Sequence, residues 1–378
     1  MGASTEEYII RLYRSGDEDQ IVKLLAEVFE QWPRFDINCS PVDHWRWKFL
    51  DNPANKEGQA NVVIDYNGEI VGVYHSMFFY TKIGKTRYLT NKGSDVAIQA
   101  KHQGKGLYSK LSKLKRETER EIFGSNYYFT YSLTANPILI NRKSKDPEYP
   151  FPHPLKYLVK IDDVETYFEK VVKEKNPLKK TYLKLAVYGS KTLNKLANLF
   201  AQPPQPRGVT FREIAKFDEG IDVFYEKVKP HYNFIVEKTM TYMNWRYCDK
   251  RGGDFKVWLA EESGEVVGFL VLRINSLDPG YPVGFVIDLL ALTGRDDVAE
   301  CLLKLAVDYF SGRGVGVVHA QLIGGHPYER LFGRYGFLDS RMVPHLAYRA
   351  SNLGEDLEMF TGSPASMLHY PYGEGDAI

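Results

Sequence analysis

The chain is short of the residues that would announce several large classes of function. Three cysteines occur in 378 residues, Cys39, Cys248 and Cys301. They lie far apart, with no Cys-x-x-Cys and no histidine cluster, which argues against a disulfide framework and against a zinc site. Isolated thiols suit a reducing compartment, and no metal is expected. Excess charge is lacking too: 49 basic residues against 48 acidic ones leave a formal net charge of +1. A protein that grips nucleic acid by neutralising phosphates carries far more positive charge, so no nucleic-acid partner is expected. No apolar run is long enough to span a bilayer. The N-terminal MGASTEEYIIRLYRSGDEDQ lacks a basic region followed by an apolar one, so no secretory signal is read there. Gly2 fits the myristoylation pattern poorly. The expectation is a cytoplasmic chain without stable membrane insertion.

What is present points elsewhere. With 44% hydrophobic and 26% charged residues, the chain can build two sizeable cores. Its most informative stretch is Ser94 to Leu111, SDVAIQAKHQGKGLYSKL. Asp95-Val96-Ala97-Ile98 reads as the end of a strand, and Gln103-Gly104-Lys105-Gly106 as a glycine-bearing turn. From Leu107 the pattern is helical, with Leu107, Leu111 and Leu114 on one face. Strand, turn and helix in this order aim unpaired backbone N–H groups at an anion. The glycines let phosphate oxygens approach closely, and the helix dipole favours their charge. Lys101, His102 and Lys105 add positive charge. Neither the three-glycine dinucleotide fingerprint nor a Walker Gly-Lys-Ser/Thr is present.

The surroundings supply a longer pattern. Tyr8 to Arg14 alternates as a strand, and Asp17-Glu18-Asp19 opens a helix with Ile21, Leu24, Leu25 and Val28 on its apolar face. Pro41 to Leu50 reads as a second helix, ending before Asn52-Pro53. Two strands, 60–66 and 70–80, flank Asn67-Gly68, a favoured two-residue hairpin turn. The sheet continues through 84–98 into the glycine turn, the helix over 107–122 follows, and Tyr127 to Leu133 is a buried strand.

This β-α-α-β-β-β-loop-α-β order, together with Gln103, Gly106 and Tyr108 at the three fixed places of Gln/Arg-x-x-Gly-x-Gly/Ala, resembles the GNAT acyltransferases. The likeness covers residues 8 to about 140. Tyr108 departs from the small residue usual at the third place.

The chain then repeats itself. Trp245-Arg246-Tyr247 matches Trp47-Lys48-Phe49, and Glu265 to Phe269, after Ser263-Gly264, matches Glu69 to Val73, after Asn67-Gly68. Asp288 to Leu292 falls where Asp95 to Ile98 does, and the amphipathic helix 298–310 follows. Tyr335-Gly336-Phe337 resembles the end of the GNAT fold. The expected architecture is α/β with mixed α+β sheets, as two tandem GNAT-like domains joined by a helical connector. Residues 1–161 form the catalytic domain, 162–206 a basic helical connector, 207–353 a degenerate copy and 354–378 an irregular tail. The connector reads as a solvated helix packed across both domains, with a membrane-surface or polyanion-binding helix as the sharper alternative.

The resemblance implies an acyl-CoA co-substrate, acetyl-CoA by default. It would lie between the splayed fourth and fifth strands and pair with the main chain of Val96, Ala97 and Ile98. Gln103, Gly104, Lys105, Gly106, Leu107 and Tyr108 would hold the pyrophosphate. In the second half Arg295-Asp296-Asp297-Val298 replaces the glycine turn, and two carboxylates there repel a pyrophosphate. That copy is expected to keep the fold without the cofactor, walling the acceptor pocket or stabilising the first domain.

Transfer from a thioester to an amine needs a base, an oxyanion site and an acid for the leaving thiolate, with no covalent enzyme intermediate. Asp95 is the first candidate for base or amine-orienting residue. Its alternative is a strand-end carboxylate paired with a lysine, and alternation turns it away from the face of Ser94 and Val96 unless a bulge re-aims it. The family's cofactor-contacting Asn falls on Asn136. The Tyr seven residues later falls on Lys143, leaving Tyr108, Tyr131, Tyr149 or solvent to protonate the thiolate. His44, Trp45 and Tyr74 are candidates to line the acceptor pocket, alongside Trp47 and His75, with core packing as the plainer reading. The acceptor is expected to be a small-molecule primary amine, such as an amino sugar or amino acid. Competing readings are a non-catalytic acyl-CoA-binding protein, a long-chain acyl or peptidyl transferase, and a protein lysine acetyltransferase.

Overall fold

The computed structural model of the chain describes residues 7–55, 60–124, 127–134, 148–172, 206–342 and 344–375, with scattered residues between 181 and 192. Its first half opens with β1 (Tyr8–Leu12), α1 (Glu18–Val28) and α2 (Pro41–Phe49). Ile21, Leu24 and Leu25 of α1 are buried, as their spacing requires. Ser40 caps α2 by accepting from the Asp43 N–H at 3.0 Å, and Pro41 begins the helix. Strands β2 (Val62–Tyr66), β3 (Glu69–Ile83) and β4 (Thr86–Ile98) make an antiparallel meander. Asn67 (φ 53°) and Gly68 (φ 86°) both take the left-handed conformation of a tight hairpin turn. Helix α3 (Leu107–Phe123) crosses to β5 (Tyr128–Thr134), which lies parallel to β4.

The second half repeats the plan. Strand β8 (Val209–Ile214), α5 (Gly220–Val228), β10 (Phe255–Glu262), β11 (Glu265–Asn275) and β12 (Val283–Ala291) precede α7 (Asp296–Ser311) and β13 (Val317–Ile323). Here too the last of these strands runs parallel to its neighbour β12. Between the halves, α4 (Val164–Lys170) follows β7 (Leu155–Ile161), and β9 (Phe234–Val236) and α6 (Met240–Met243) follow α5. The chain closes with α8 (Tyr328–Arg334), β14 (Leu338–Asp339), β15 (His345–Ser351) and α9 (Glu355–Thr361). Most of the basic connector lies outside the described residues.

The two sheets exchange strands. From the first half, β7 pairs with β13 in the second sheet, and from the second half β15 pairs with β5 in the first. A boundary drawn at residue 161 or 353 therefore follows the chain but not the sheets. Short β6 (Tyr149–Pro150) pairs with β15, and β9 adds to β3. Because each long closing strand finds its edge in the other half, the largest core cluster spans both, from Ile21 and Trp45 to Leu290 and Tyr370.

The tail departs from the irregular segment expected from Gly354 onward. It forms α9 and then runs buried between the halves, where Arg246 donates to the carbonyls of Gly373 (3.0 Å) and Gly375 (3.1 Å). Lys238 Nζ bridges Asp288 at 2.8 Å and Glu374 at 2.5 Å, all three side chains being fully buried or nearly so. Glycine and proline here mark a strap pinned by charge, since burial of its backbone requires partners for its carbonyls.

Candidate active site

Strands β4 and β5 pair only at Asn91↔Thr130 and Lys92↔Tyr131 and then part. Beyond Lys92 the β4 edge facing β5 carries no ladder among the described residues, so the strands form a V opening toward the glycine turn. At its mouth, Gly104 (φ 77°) and Gly106 (φ 70°) turn the chain, and a side chain at either would meet open space. Gly106 caps α3 in the left-handed conformation. The amides of Gly104, Gly106 and Leu107 find no backbone acceptor among the described residues. Gln103 braces the turn by donating from Nε2 to the Ile98 carbonyl at 2.9 Å. Lys105 donates to the Tyr8 hydroxyl at 2.8 Å, which also meets His102 Nδ1 at 2.8 Å. The cofactor candidates Val96 to Ile98 and Gln103 to Tyr108 thus lie along one continuous edge, turn and helix terminus. This suits a linear ligand ending in a diphosphate.

A bulge in β4 lies at the base of the V. His75 pairs with Ser94 and Val73 with Ala97, so one extra residue sits in β4, and Asp95 takes φ 41°. The bulge turns the Asp95 carboxylate to the α2 side, where Oδ2 accepts from Lys48 Nζ at 2.8 Å and Trp32 Nε1 at 3.2 Å. His75 secures the bulge. Trp45 Nε1 donates to His75 Nε2 at 2.9 Å, so its proton is on Nδ1, which donates to the Asp95 carbonyl at 3.0 Å. Burial holds the His75 imidazole neutral, down at about 4.

The acceptor candidates do not converge. Trp45 has no exposed surface, and His44 is buried with Nδ1 2.7 Å from the Arg251 carbonyl, its pKa pushed down to about 3 by burial. Trp45 packs inside the first half against Tyr13, Phe49 and His75, whereas His44 and Trp47 belong to the seam between α2 and the second half. Tyr74 lies on the opposite face, its ring 6.0 Å from that of Tyr108, and burial raises its hydroxyl to about 12. With Gly93, Lys115, Glu119, Thr130 and Arg349 it lines a small cleft at the closed end of the V on the α3 side. Glu119 there accepts from Asn91 at 2.7 Å and Tyr128 at 3.1 Å and pairs with Lys115. The sequence reading missed this polar floor, because Lys115 and Glu119 at i, i+4 look like an ordinary exposed helix pair.

Among the thiolate-acid candidates, Tyr131 is 2% exposed within a cluster of rings that includes Phe79, Phe151 and Phe234. Tyr149 is exposed on β6, beyond β15. Tyr108, in the first turn of α3, stands nearest the mouth of the V. Asn136 and Lys143 lie outside the described residues.

The corresponding V of the second half is occupied. β12 and β13 pair from Val283 to Val286 and then diverge. Gln321 Nε2 donates to the carbonyls of Tyr370 (3.3 Å) and Pro371 (3.0 Å), and His369 Nε2 meets Asp288 at 2.9 Å, so the tail fills the gap. At the N-terminus of α7, Asp297 is held by Arg295 at 3.0 Å. Both the groove and the anion site of that half are satisfied by the chain itself.

Comparison with known proteins agrees with this geometry. Residues 9–131 match the family model described as "Acetyltransferase (GNAT) domain". No curated protein sequence matches the chain. Among solved structures, an Enterococcus faecalis protein described as a "Probable N-Acyltransferase" superposes with a TM-score of 0.61 at 11% identity, covering 94% of this chain and 75% of that one. Saccharomyces cerevisiae N-myristoyltransferase with bound myristoyl-CoA and inhibitors gives 0.56 at 10% identity, covering 93% of this chain and 81% of that one. A further structure of that yeast enzyme with bound myristoyl-CoA gives 0.56 at 12% identity, with 93% and 84% covered. Residues 9–131 thus match a GNAT acetyltransferase domain, and the chain as a whole shares the fold of these N-acyltransferase structures.

Proposed function

We propose that the chain transfers a short acyl group, acetyl by default, from CoA to the primary amine of a small molecule, using the V of the first half alone. The observation that carries this reading is the open β4 edge running into the amides of Gly104, Gly106 and Leu107, which have no backbone acceptor among the described residues. The tail lying in the second V supports a single site. In the reaction the ammonium acceptor first loses a proton to solvent. Its nitrogen then bonds to the thioester carbon, the C–S bond breaks, the nitrogen gives up its surplus proton to solvent and the thiolate takes one, giving amide and CoA thiol. Asp95 orients the amine from the α2 side through Oδ1, which has no partner among the described residues. We assign the proton of the thiolate to Tyr108, in the first turn of α3.

Myristoyl-CoA in the yeast structures makes long-chain transfer the second reading. A fourteen-carbon chain needs an apolar tunnel. The closed end of this V instead carries Lys115, Glu119, Thr130 and Arg349, and desolvating those charges against methylenes is costly. A series of acyl-CoA donors tests the choice, with thiol release in the presence of an amine panel as the readout. Acetyl-CoA is expected to be the best donor and myristoyl-CoA the poorest. CoA binding without thiol release from any donor would make the protein a sensor instead.

A further inference from the structure

Side chains of β3 alternate across the first sheet. Val73, His75 and Met77 face α1 and α2, whereas Tyr74 and Ser76 face α3. The Tyr74 ring reaches across to β4, where a Cβ added to Gly93 would come within 2.9 Å of its hydroxyl. Gly93 is the first β4 residue past the last rung, Lys92↔Tyr131, so this hydroxyl stands where the two strands part. Only the missing side chain at 93 leaves it room.

The surroundings of the phenol are polar and specific. Its ring lies 6.0 Å from that of Tyr108, 26° from parallel, and the two hydroxyls share a hydrogen bond. Lys115 Nζ sits 4.6 Å over the Tyr74 ring, and Glu119, one turn further along α3, pairs with Lys115. Tyr74, Gly93, Lys115 and Glu119 line the same small cleft. Tyr108 starts from the first turn of α3, at the mouth of the V. Its bond to Tyr74 draws its hydroxyl inward, toward the closed end.

The second half is an internal comparison. Rungs Gly72↔Ile98 and Ser76↔Gly93 of the first sheet correspond to Gly268↔Ala291 and Leu272↔Val286 of the second. Tyr74 therefore corresponds to Leu270 and Gly93 to Val286, both buried under the helices of their sheet. The copy whose V is filled by the tail has neither the phenol nor the gap that admits it. Since leucine fills the equivalent place, packing of the sheet does not call for a hydroxyl at 74.

We infer that Tyr74 is a positioning residue for proton transfer to the departing thiolate, acting through Tyr108. This rests on the acyltransferase reading with Tyr108 as the acid. When the C–S bond breaks, the Tyr108 hydroxyl gives its proton to the sulfur. Tyr74 turns its O–H toward the phenolate oxygen left on Tyr108, and solvent then returns a proton to Tyr108. Burial raises the Tyr74 hydroxyl to about 12, so it stays protonated and able to donate. A hydrogen bond offered to the charged form makes Tyr108 the stronger acid.

Thiol release from acetyl-CoA by the parent, Tyr74→Phe, Tyr108→Phe and the double variant tests it, with the amine that the parent turns over best. Phenylalanine keeps the ring under Lys115 and removes only the hydroxyl, so the melting temperature should match the parent's. Tyr74→Phe should lower kcat about tenfold with KM for acetyl-CoA within about twofold. It should also move the alkaline limb of the kcat–pH profile upward by about one unit, because the phenolate of Tyr108 has lost a donor. In the Tyr108→Phe background the same change should cost nothing further. An unmoved kcat and alkaline limb in Tyr74→Phe, beside a loss in Tyr108→Phe, overturns the inference and leaves the acyltransferase and its acid standing. A Tyr74→Phe loss that persists undiminished in the Tyr108→Phe background overturns it too, since the two would then act separately. If Tyr108→Phe turns over like the parent, the acid assignment falls and the inference with it. Absence of thiol release from the parent with every amine instead overturns the acyltransferase reading, and the proton transfer goes with it.

Discussion

Trp47 and Trp245, equivalent positions of the two repeats, stack on each other with ring centroids 5.2 Å apart and exchange hydrogen bonds. Each indole N–H donates to the other's backbone carbonyl, Trp47 to Trp245 at 2.9 Å and Trp245 to Trp47 at 3.0 Å. The duplication visible in the sequence is thus a local two-fold in the structure, and its axis runs through the seam between the halves. Truncating either Trp to Ala should cost about 3–5 kcal/mol, as for other fully buried aromatics. Trp47→Phe and Trp245→Phe should each cost less, and their double-mutant cycle should show a coupling of about 0.5–3 kcal/mol. Urea midpoints of the four proteins check this; strict additivity would mean that the pair does not join the halves.

The glycine turn gives the sharpest test of the cofactor site. Gly106→Glu puts a carboxylate and a strained left-handed backbone where the diphosphate would lie. Affinity for CoA by calorimetry should fall about a hundredfold or more, since an opposed like charge costs several kcal/mol. Asp296→Ala with Asp297→Ala, at the counterpart helix of the second half, should leave turnover unchanged. A large loss there would place the active site in the wrong half.

Asp95→Asn separates chemistry from architecture. Asparagine keeps the shape of the bulge but removes the charge that pairs with Lys48 and, in the proposed reaction, orients the amine. Turnover should drop about tenfold to a hundredfold, with CoA affinity within twofold of the parent. If instead the melting temperature and CoA affinity fall together, the Lys48 ion pair is the residue's whole role.

Lys238 neutralises two buried carboxylates, and its removal strands them. Lys238→Met should destabilise the protein by about 3–5 kcal/mol, the typical cost of breaking a buried pair from one side. Adding Asp288→Asn should recover part of that loss. Denaturation midpoints measure both. Burial alone would raise the Asp288 pKa, but Lys238 and His369 outweigh it and hold it at about 2.

Acid sensitivity should begin well above the carboxylate range. Burial depresses His44 to about 3 and His75 to about 4 from an ordinary 6.5. The unfolded chain therefore binds their protons first, and stability falls as pH drops from about 6.5 toward those values. Each histidine contributes a slope of up to about 1.4 kcal/mol per pH unit. Asp288 adds a further loss between about pH 4 and pH 2. His75→Gln should flatten the slope between pH 6 and 4, read from urea midpoints across pH; an unchanged slope would show that His75 is charged in the folded state.

The sequence by itself determined whatever depends on neighbours along the chain. The hairpin at Asn67-Gly68, the apolar face of α1, the Gly104–Gly106 turn before α3 and the two-fold repeat all follow from local spacing and φ preference. The tertiary structure alone decided what depends on who meets whom. Alternation alone sets Asp95 opposite Ser94 and Val96, and the bulge, held by His75 and Trp45, aims its carboxylate at Lys48 and Trp32. His44 and Trp45 looked like pocket residues because aromatics of core and of cleft share one composition. The strand exchange of β7 with β15 and the tail in the second V leave no local mark, since a strand's partner is chosen by the free edge it reaches in space.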